Sequence, residues 1–339
     1  MPFALLLAAP LVARWIVLTG PVDLASITDV AVDAGSDRQI YVSTLEPGGA
    51  SAIYRSDDAG VRWVFVLPAP GAERFTKVQA DPRVPGRLFA CGMHEALAGP
   101  TTQLYRSADA GAHWTVPQTD VLSPSCDIAF DALDPETIYV SYANVATLWR
   151  SRDGGGTFSG FASPFSGALL ASAADGMLLA ASGTVVFVSG NRGQTWSSAK
   201  RAPVECPIRA MAADPANANL WYVGSGQPLF PCGEVARTDD GGDTWTHAAD
   251  TGGPIFGLAT DPAQPGLLYV ATGRTEPSVA PGRVLATQDG GDTWIDLKGP
   301  QTDGLNAIAV PENAGHIYAA TDAGVYALDL RRPHSAPPR

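Results

Sequence analysis

"TDDGGDTW" runs from Thr238 to Trp245, and "TQDGGDTW" runs from Thr287 to Trp294. Carboxylates around a glycine pair, closed by a tryptophan, admit three readings: a calcium loop, a catalytic acid pair, or a turn used many times. The rest of the chain decides between them. The pattern S/T-x-D-x-G-x-x-W returns as "SDDAGVRW" (Ser56–Trp63), "SADAGAHW" (Ser107–Trp114), "SRDGGGTF" (Ser151–Phe158) and "SGNRGQTW" (Ser189–Trp196), six copies in all. Its third positions are Asp58, Asp109, Asp153, Asn191, Asp240 and Asp289, with gaps of 51, 44, 38, 49 and 49 residues. Repeats of this length are the signature of solenoids and propellers. A copy such as "SADAGAHW" offers one carboxylate, too few oxygens for calcium, and a catalytic site has no use for six copies. The motif reads as a structural turn. Its Asp can accept backbone N–H bonds, its Gly can take a conformation closed to other residues, and its Trp can pack between sheets.

A second signature lies between the copies. An Asp is followed eight residues later by an aromatic in an apolar strand at Asp33/Tyr41, Asp81/Phe89, Asp131/Tyr139, Asp214/Tyr222 and Asp261/Tyr269. Degenerate versions in "AADGMLLAAS" and "VPENAGHIYAAT" raise the count to seven. Each unit reads as four short strands parted by turn residues; in the sixth they are "IFGLATD", "GLLYVATG", "RVLATQD" and "DTWIDLK". The predicted fold is all-β: a single seven-bladed β-propeller of four-stranded antiparallel blades, over residues 14–330. The seventh unit ends after "GVYALDL" without a fourth strand, whereas "ARWIVLTG" (Ala13–Gly20) matches the fourth-strand pattern of "VRWVFVLP" (Val61–Pro68). An N-terminal strand over about residues 13–20 would complete the last blade and remove an exposed edge.

These residues resemble the Asp-box, or BNR, repeat of sialidases, sortilin-type receptors, xyloglucanases and photosystem II assembly-factor-like proteins. The resemblance covers about Arg14 to Leu330. It implies a propeller and leaves the activity open, because one fold carries many functions. A sialidase would need three converging arginines, but Arg55, Arg106, Arg150 and Arg237 each stand just before a motif copy and read as repeated scaffold. A xyloglucanase-like enzyme would need two carboxylates across a cleft, and such enzymes resemble two facing propellers where this chain has residues for one. Asp127, Asp303 and Glu205 are the carboxylates nominated for that case.

Composition narrows the classes. A formal net charge of −12 over 339 residues, without a basic block, argues against nucleic acid. The apolar run Phe3–Ala13 resembles a secretory signal without its basic start, and it is too short to span a membrane. Residues 1–13 are therefore a candidate signal segment, and the proline-rich 331–339 a disordered tail. Neither a cofactor nor a metal site is expected. The four cysteines, Cys91, Cys126, Cys206 and Cys232, form no CxxC pair. In an exported protein the blade layout favours Cys91–Cys126 and Cys206–Cys232 disulfides; four buried free thiols are the alternative.

In such blades the motif turns share a face with the strand 1–2 turns, and the 2–3 loops emerge opposite. The long insertions all fall on that opposite face: Cys91–Gln103, Gly224–Glu234, Gly273–Gly282 and, shorter, Leu45–Ala50. Loops on a rigid scaffold carry binding. The candidate contact residues there are Cys91, His94, Glu95, Phe230, Arg274 and Glu276, joined by Asp29, Lys77 and Asp127, which align on the innermost strands. The function expected is non-catalytic, extracytoplasmic binding or assembly with a protein partner. The alternative is a carbohydrate-active propeller.

Overall fold

The computed structural model describes residues 14–330, apart from 19, 21–24, 47, 48, 50, 69–73, 168, 198, 199, 228–231, 274–281, 301–303 and 312–315. Seven four-stranded antiparallel sheets stand in a ring. Blade one comprises Ser26–Asp33, Ser36–Leu45, Ser51–Ser56 and Val64–Pro68, from the axis outward. Six blades follow chain order. In the seventh, Leu305–Ala309, His316–Thr321 and Gly324–Asp329 are completed on the outside by Arg14–Val17, paired Arg14↔Asp329 through Val17↔Tyr326. No described helix is long and apolar enough to cross a membrane.

Burial follows from this radial packing. Successive side chains of a strand point to opposite faces of its sheet, and both faces of an inner strand meet a neighbouring blade. In blade one Ile40 and Val42 face blade seven, among Tyr318, Ala320 and Val325, while Tyr41 faces blade two beside Phe75 and Leu88. The second strands are thus near-continuous apolar runs, such as "IYVSY" (Ile138–Tyr142), buried throughout. Seven clusters of this kind fill the seven blade junctions, and the one shared by blades seven and one closes the ring. The motif aromatics Trp63, Trp114, Phe158, Trp196, Trp245 and Trp294 each pack on the junction with the preceding blade. Trp15 does the same for blade seven, so the N-terminal strand supplies the seventh aromatic as well as the missing edge.

The motif turns share one hydrogen-bond pattern. In blade five the Gly242 N–H donates to Thr238 Oγ1 at 3.0 Å, the Thr244 N–H donates to Asp240 Oδ1 at 2.9 Å, and Thr244 Oγ1 donates to Asp240 Oδ2 at 2.6 Å. Blade four repeats it with an amide, the Thr195 N–H donating to Asn191 Oδ1 at 2.8 Å. The bonds from Arg62, His113, Thr157, Thr244 and Thr293 hold the carboxyls of Asp58, Asp109, Asp153, Asp240 and Asp289 down at about 2. Two successive residues in each turn have positive φ, including Ala59, Ala110 and Arg192 just before the motif Gly. The strand-three arginines join adjacent blades: Arg55 donates to the Ala110 carbonyl, Arg106 to Gly154, Arg150 to Arg192 and Arg237 to Gly290, at 2.6–2.9 Å. Each carbonyl belongs to the motif turn of the next blade.

Candidate functional site

With the motif turns spent on the scaffold, the opposite face and the central channel hold the remaining polar chemistry. The channel has a volume of about 480 Å³. At one register position of the seven innermost strands stand Asp29, Lys77, Asp127, Leu169, Ala210, Gly257 and Ala307. At this level blades one to three are charged and blades four to seven apolar or small, while Arg209, one residue earlier in blade five, also lines the channel. The Lys77 ammonium pairs with Asp127 Oδ1, while Asp127 Oδ2 accepts the Leu170 N–H of blade four at 2.7 Å. Asp29 Oδ2 likewise accepts the Val78 N–H of blade two at 3.1 Å. Burial pushes the Asp29 carboxyl up to about 6 against the pull of Lys77. Burial also opposes charge on Lys77, but Asp127 and Asp29 outweigh it and hold the ammonium above its ordinary range. The three residues therefore come together, in the channel wall, as a set whose carboxylates tie neighbouring inner strands.

The longest insertion is not an irregular loop. Leu88–Ala96 and Gly99–Ser107 pair without a break to Ala96↔Gly99, leaving Leu97 and Ala98 as a two-residue turn. Thr115–Leu122 continues alongside, Thr101↔Leu122, so blade two extends as a three-stranded tongue. Gly99, the first paired residue after the turn, takes φ +116°, a backbone conformation that glycine adopts without steric cost. The reading of Cys91–Gln103 as a loop is corrected accordingly. At the tip Leu97 is fully exposed, Glu95 is exposed, and His94 is half-buried with Thr101 Oγ1 at 2.8 Å from its Nε2.

Both disulfides form as the blade layout favours. Cys91–Cys126 joins blade two to blade three, and Cys206–Cys232 joins the entry of blade five to its strand 2–3 connection, with Cα separations of 5.8 and 6.2 Å. Cys91 is nevertheless buried completely. Its place among the contact residues is therefore corrected: it belongs to the blade junction and offers no surface. Glu205 is exposed, and its N–H donates to Glu234 Oε2 at 2.6 Å. Phe230, Arg274, Glu276 and Asp303 lie outside the described residues.

Sequence reasoning passed over Glu234, His247 and Asp250. One ligand atom from each lies within 4.8 Å of the other two, on the outer strands of blade five.

No family model matches the chain. It is 25% identical over 273 residues to a xyloglucanase of Hypocrea jecorina, covering 73% of this chain and 30% of that protein. This chain thus spans less than a third of that relative. Among solved structures, the GH74 xyloglucanase from Xanthomonas campestris superposes with a TM-score of 0.72 at 17% identity, covering 93% of this chain and 53% of that one. YCF48 bound to D1 peptide superposes at 0.63 with 16% identity, covering 94% and 97%. These likenesses establish a seven-bladed propeller shared by carbohydrate-active and protein-binding proteins alike.

Proposed function

We propose that the chain is a non-catalytic, extracytoplasmic binding or assembly propeller of the Asp-box kind, which recognises a protein partner through the face opposite its motif turns. The observation that carries this reading is the tongue of blade two. It lifts Glu95 and the exposed Leu97 above the scaffold on paired strands, with a disulfide at its base. An exposed apolar side chain on a rigid support suits an interface core. The two disulfides support an oxidising compartment. YCF48, a neighbour of nearly the same extent, is recorded with a bound peptide.

A second reading, hydrolysis or binding of a polysaccharide, is favoured by the xyloglucanase relative. Against it, both oxygens of Asp127 are engaged, one by Lys77 and one by the Leu170 N–H, and a general acid or base needs an oxygen free to reach substrate.

The test replaces Glu95–Pro100 by a two-residue turn, which keeps Cys91 and the strand pairing below. The intact protein captures a partner from native extracellular material, and the shortened tongue loses it while melting at the same temperature. Undiminished capture overturns the reading. Release of reducing ends from xyloglucan by the wild type, abolished in Asp127→Asn, would support the second reading instead.

A further inference from the structure

We infer that Glu234, His247 and Asp250 form a binding site for a divalent transition-metal ion of the zinc class, on the loop-rich face of blade five. A regular strand would place His247 and Asp250 on opposite faces, because they are three residues apart. The ladder shows how they converge. Glu234 pairs with Asp250 and Val235 with Ala249, but Ala236 pairs with His247, so Ala248 is an extra residue in the outer strand. The bulge shifts the alternation by one and brings His247, Asp250 and Glu234 to the same side of the sheet.

The donors are held from several directions. Glu234 lies two residues after Cys232, and the disulfide partner Cys206 follows Glu205, whose N–H fixes Glu234 Oε2 at 2.6 Å. Ser225 Oγ stands 3.5 Å from the same oxygen. An outer-shell donor of this kind orients a carboxylate ligand. His247 Nε2 lies 2.9 Å from Asp250 Oδ1, a contact that requires a proton between them, and a metal ion would take that proton's place. Among the described residues neither Glu234 nor Asp250 is paired with a lysine or arginine, so two carboxylates share the spot with a single imidazole.

The donor set selects the metal. Calcium and magnesium favour all-oxygen shells, whereas one imidazole with two carboxylates suits zinc and its neighbours. Donors about 2.0–2.2 Å from a zinc ion lie no more than about 4.4 Å apart, so a spread of 4.8 Å needs only a small side-chain adjustment. His247 and Asp250 are 43% and 80% exposed, which leaves the solvent side open for water to complete the shell.

The test titrates Zn²⁺, and separately Ca²⁺, into untagged, metal-stripped full-length protein with its disulfides intact, followed by calorimetry. The wild type takes up one equivalent of Zn²⁺ in preference to Ca²⁺. His247→Ala and Glu234→Gln each weaken this by at least about tenfold. Co²⁺ substitution gives visible ligand-field bands that His247→Ala abolishes, with the near-UV dichroism of the fold unchanged. His113→Ala serves as control. It removes a similar His–Asp contact, His113 Nδ1 to Asp109 Oδ2 at 2.6 Å, from the opposite face, and it leaves zinc uptake as in the wild type. Absence of zinc binding in the wild type, unchanged uptake in His247→Ala, or preference for Ca²⁺ would overturn the assignment.

Discussion

Asp81 and Arg87 form an ion pair across the strand 1–2 turn of blade two, 1% and 4% exposed. Asp81 Oδ2 accepts Arg87 Nε at 2.9 Å and Nη2 at 2.7 Å, while Oδ1 accepts the N–H groups of Arg83 and Val84 at 2.9 and 3.2 Å. The guanidinium also reaches Glu136 Oε1 at 3.2 Å and the Pro135 carbonyl, in the strand 1–2 turn of blade three. Asp81→Asn keeps an acceptor for the backbone but turns an amide donor toward the guanidinium, which stays buried with half-exposed Glu136 as its counter-charge. Stranding a buried charge costs about 3–5 kcal/mol, a large part of a net stability of about 5–15 kcal/mol. Unfolding entropy of about 2 cal/mol/K per residue, over on the order of 300 ordered residues, converts this to a fall in Tm of about 5–8 °C. Thermal unfolding with the disulfides intact measures it, and adding Arg87→Met should recover more than half of the loss by removing the stranded charge. A shift for Asp81→Asn within about 1 °C of wild type would refute the reasoning.

The other predictions concern acid, closure and the disulfides. The five motif carboxyls held at about 2 lie below the unfolded value, so the stability they contribute is full above about pH 4 and is lost as pH falls toward 2. Asp240→Asn, which copies the Asn191 turn, should flatten part of that acid-induced loss in Tm; an unchanged acid slope contradicts the assignment. Trp15→Ala removes a half-buried indole from the junction of blades six and seven and should cost about 2–3 kcal/mol, below the range for full burial; an unchanged urea midpoint would mean the strand does not close the ring. The disulfides span separations of 35 and 26 residues, so serine replacement of either pair should cost about 3–4 kcal/mol on chain entropy, and a loss under about 1 kcal/mol would count against them.

Much of the fold was legible in the sequence because a propeller writes each constraint several times. The motif turn needs an acceptor, a positive-φ glycine and an aromatic in six of the blades, so six imperfect copies reinforce one another. "ARWIVLTG" was readable as the closing strand because Trp15 repeats the role of Trp63. What escaped was written once. The tongue of blade two lacks the Asn-Gly or Asp-Gly turn that announces a hairpin, so its extra pairing looked like a loop. The convergence of Glu234, His247 and Asp250 depends on a bulge at Ala248, and the short stretch Thr246–Asp250, with two adjacent alanines, is too brief for a shift in its alternation to be read. Asp29, Lys77 and Asp127 could be aligned from the repeat, but their ties to Val78 and Leu170 depend on how adjacent blades are spaced.

The assignment of recognition to the loop-rich face is tested most directly by amide hydrogen exchange on the intact chain, free and in complex with the protein it captures. The account predicts slowed exchange along the tongue, over residues 94–101, with the motif turns at residues 58–62, 109–113 and 240–244 unchanged. Protection centred on the motif turns, with the tongue exchanging as in the free protein, would contradict it.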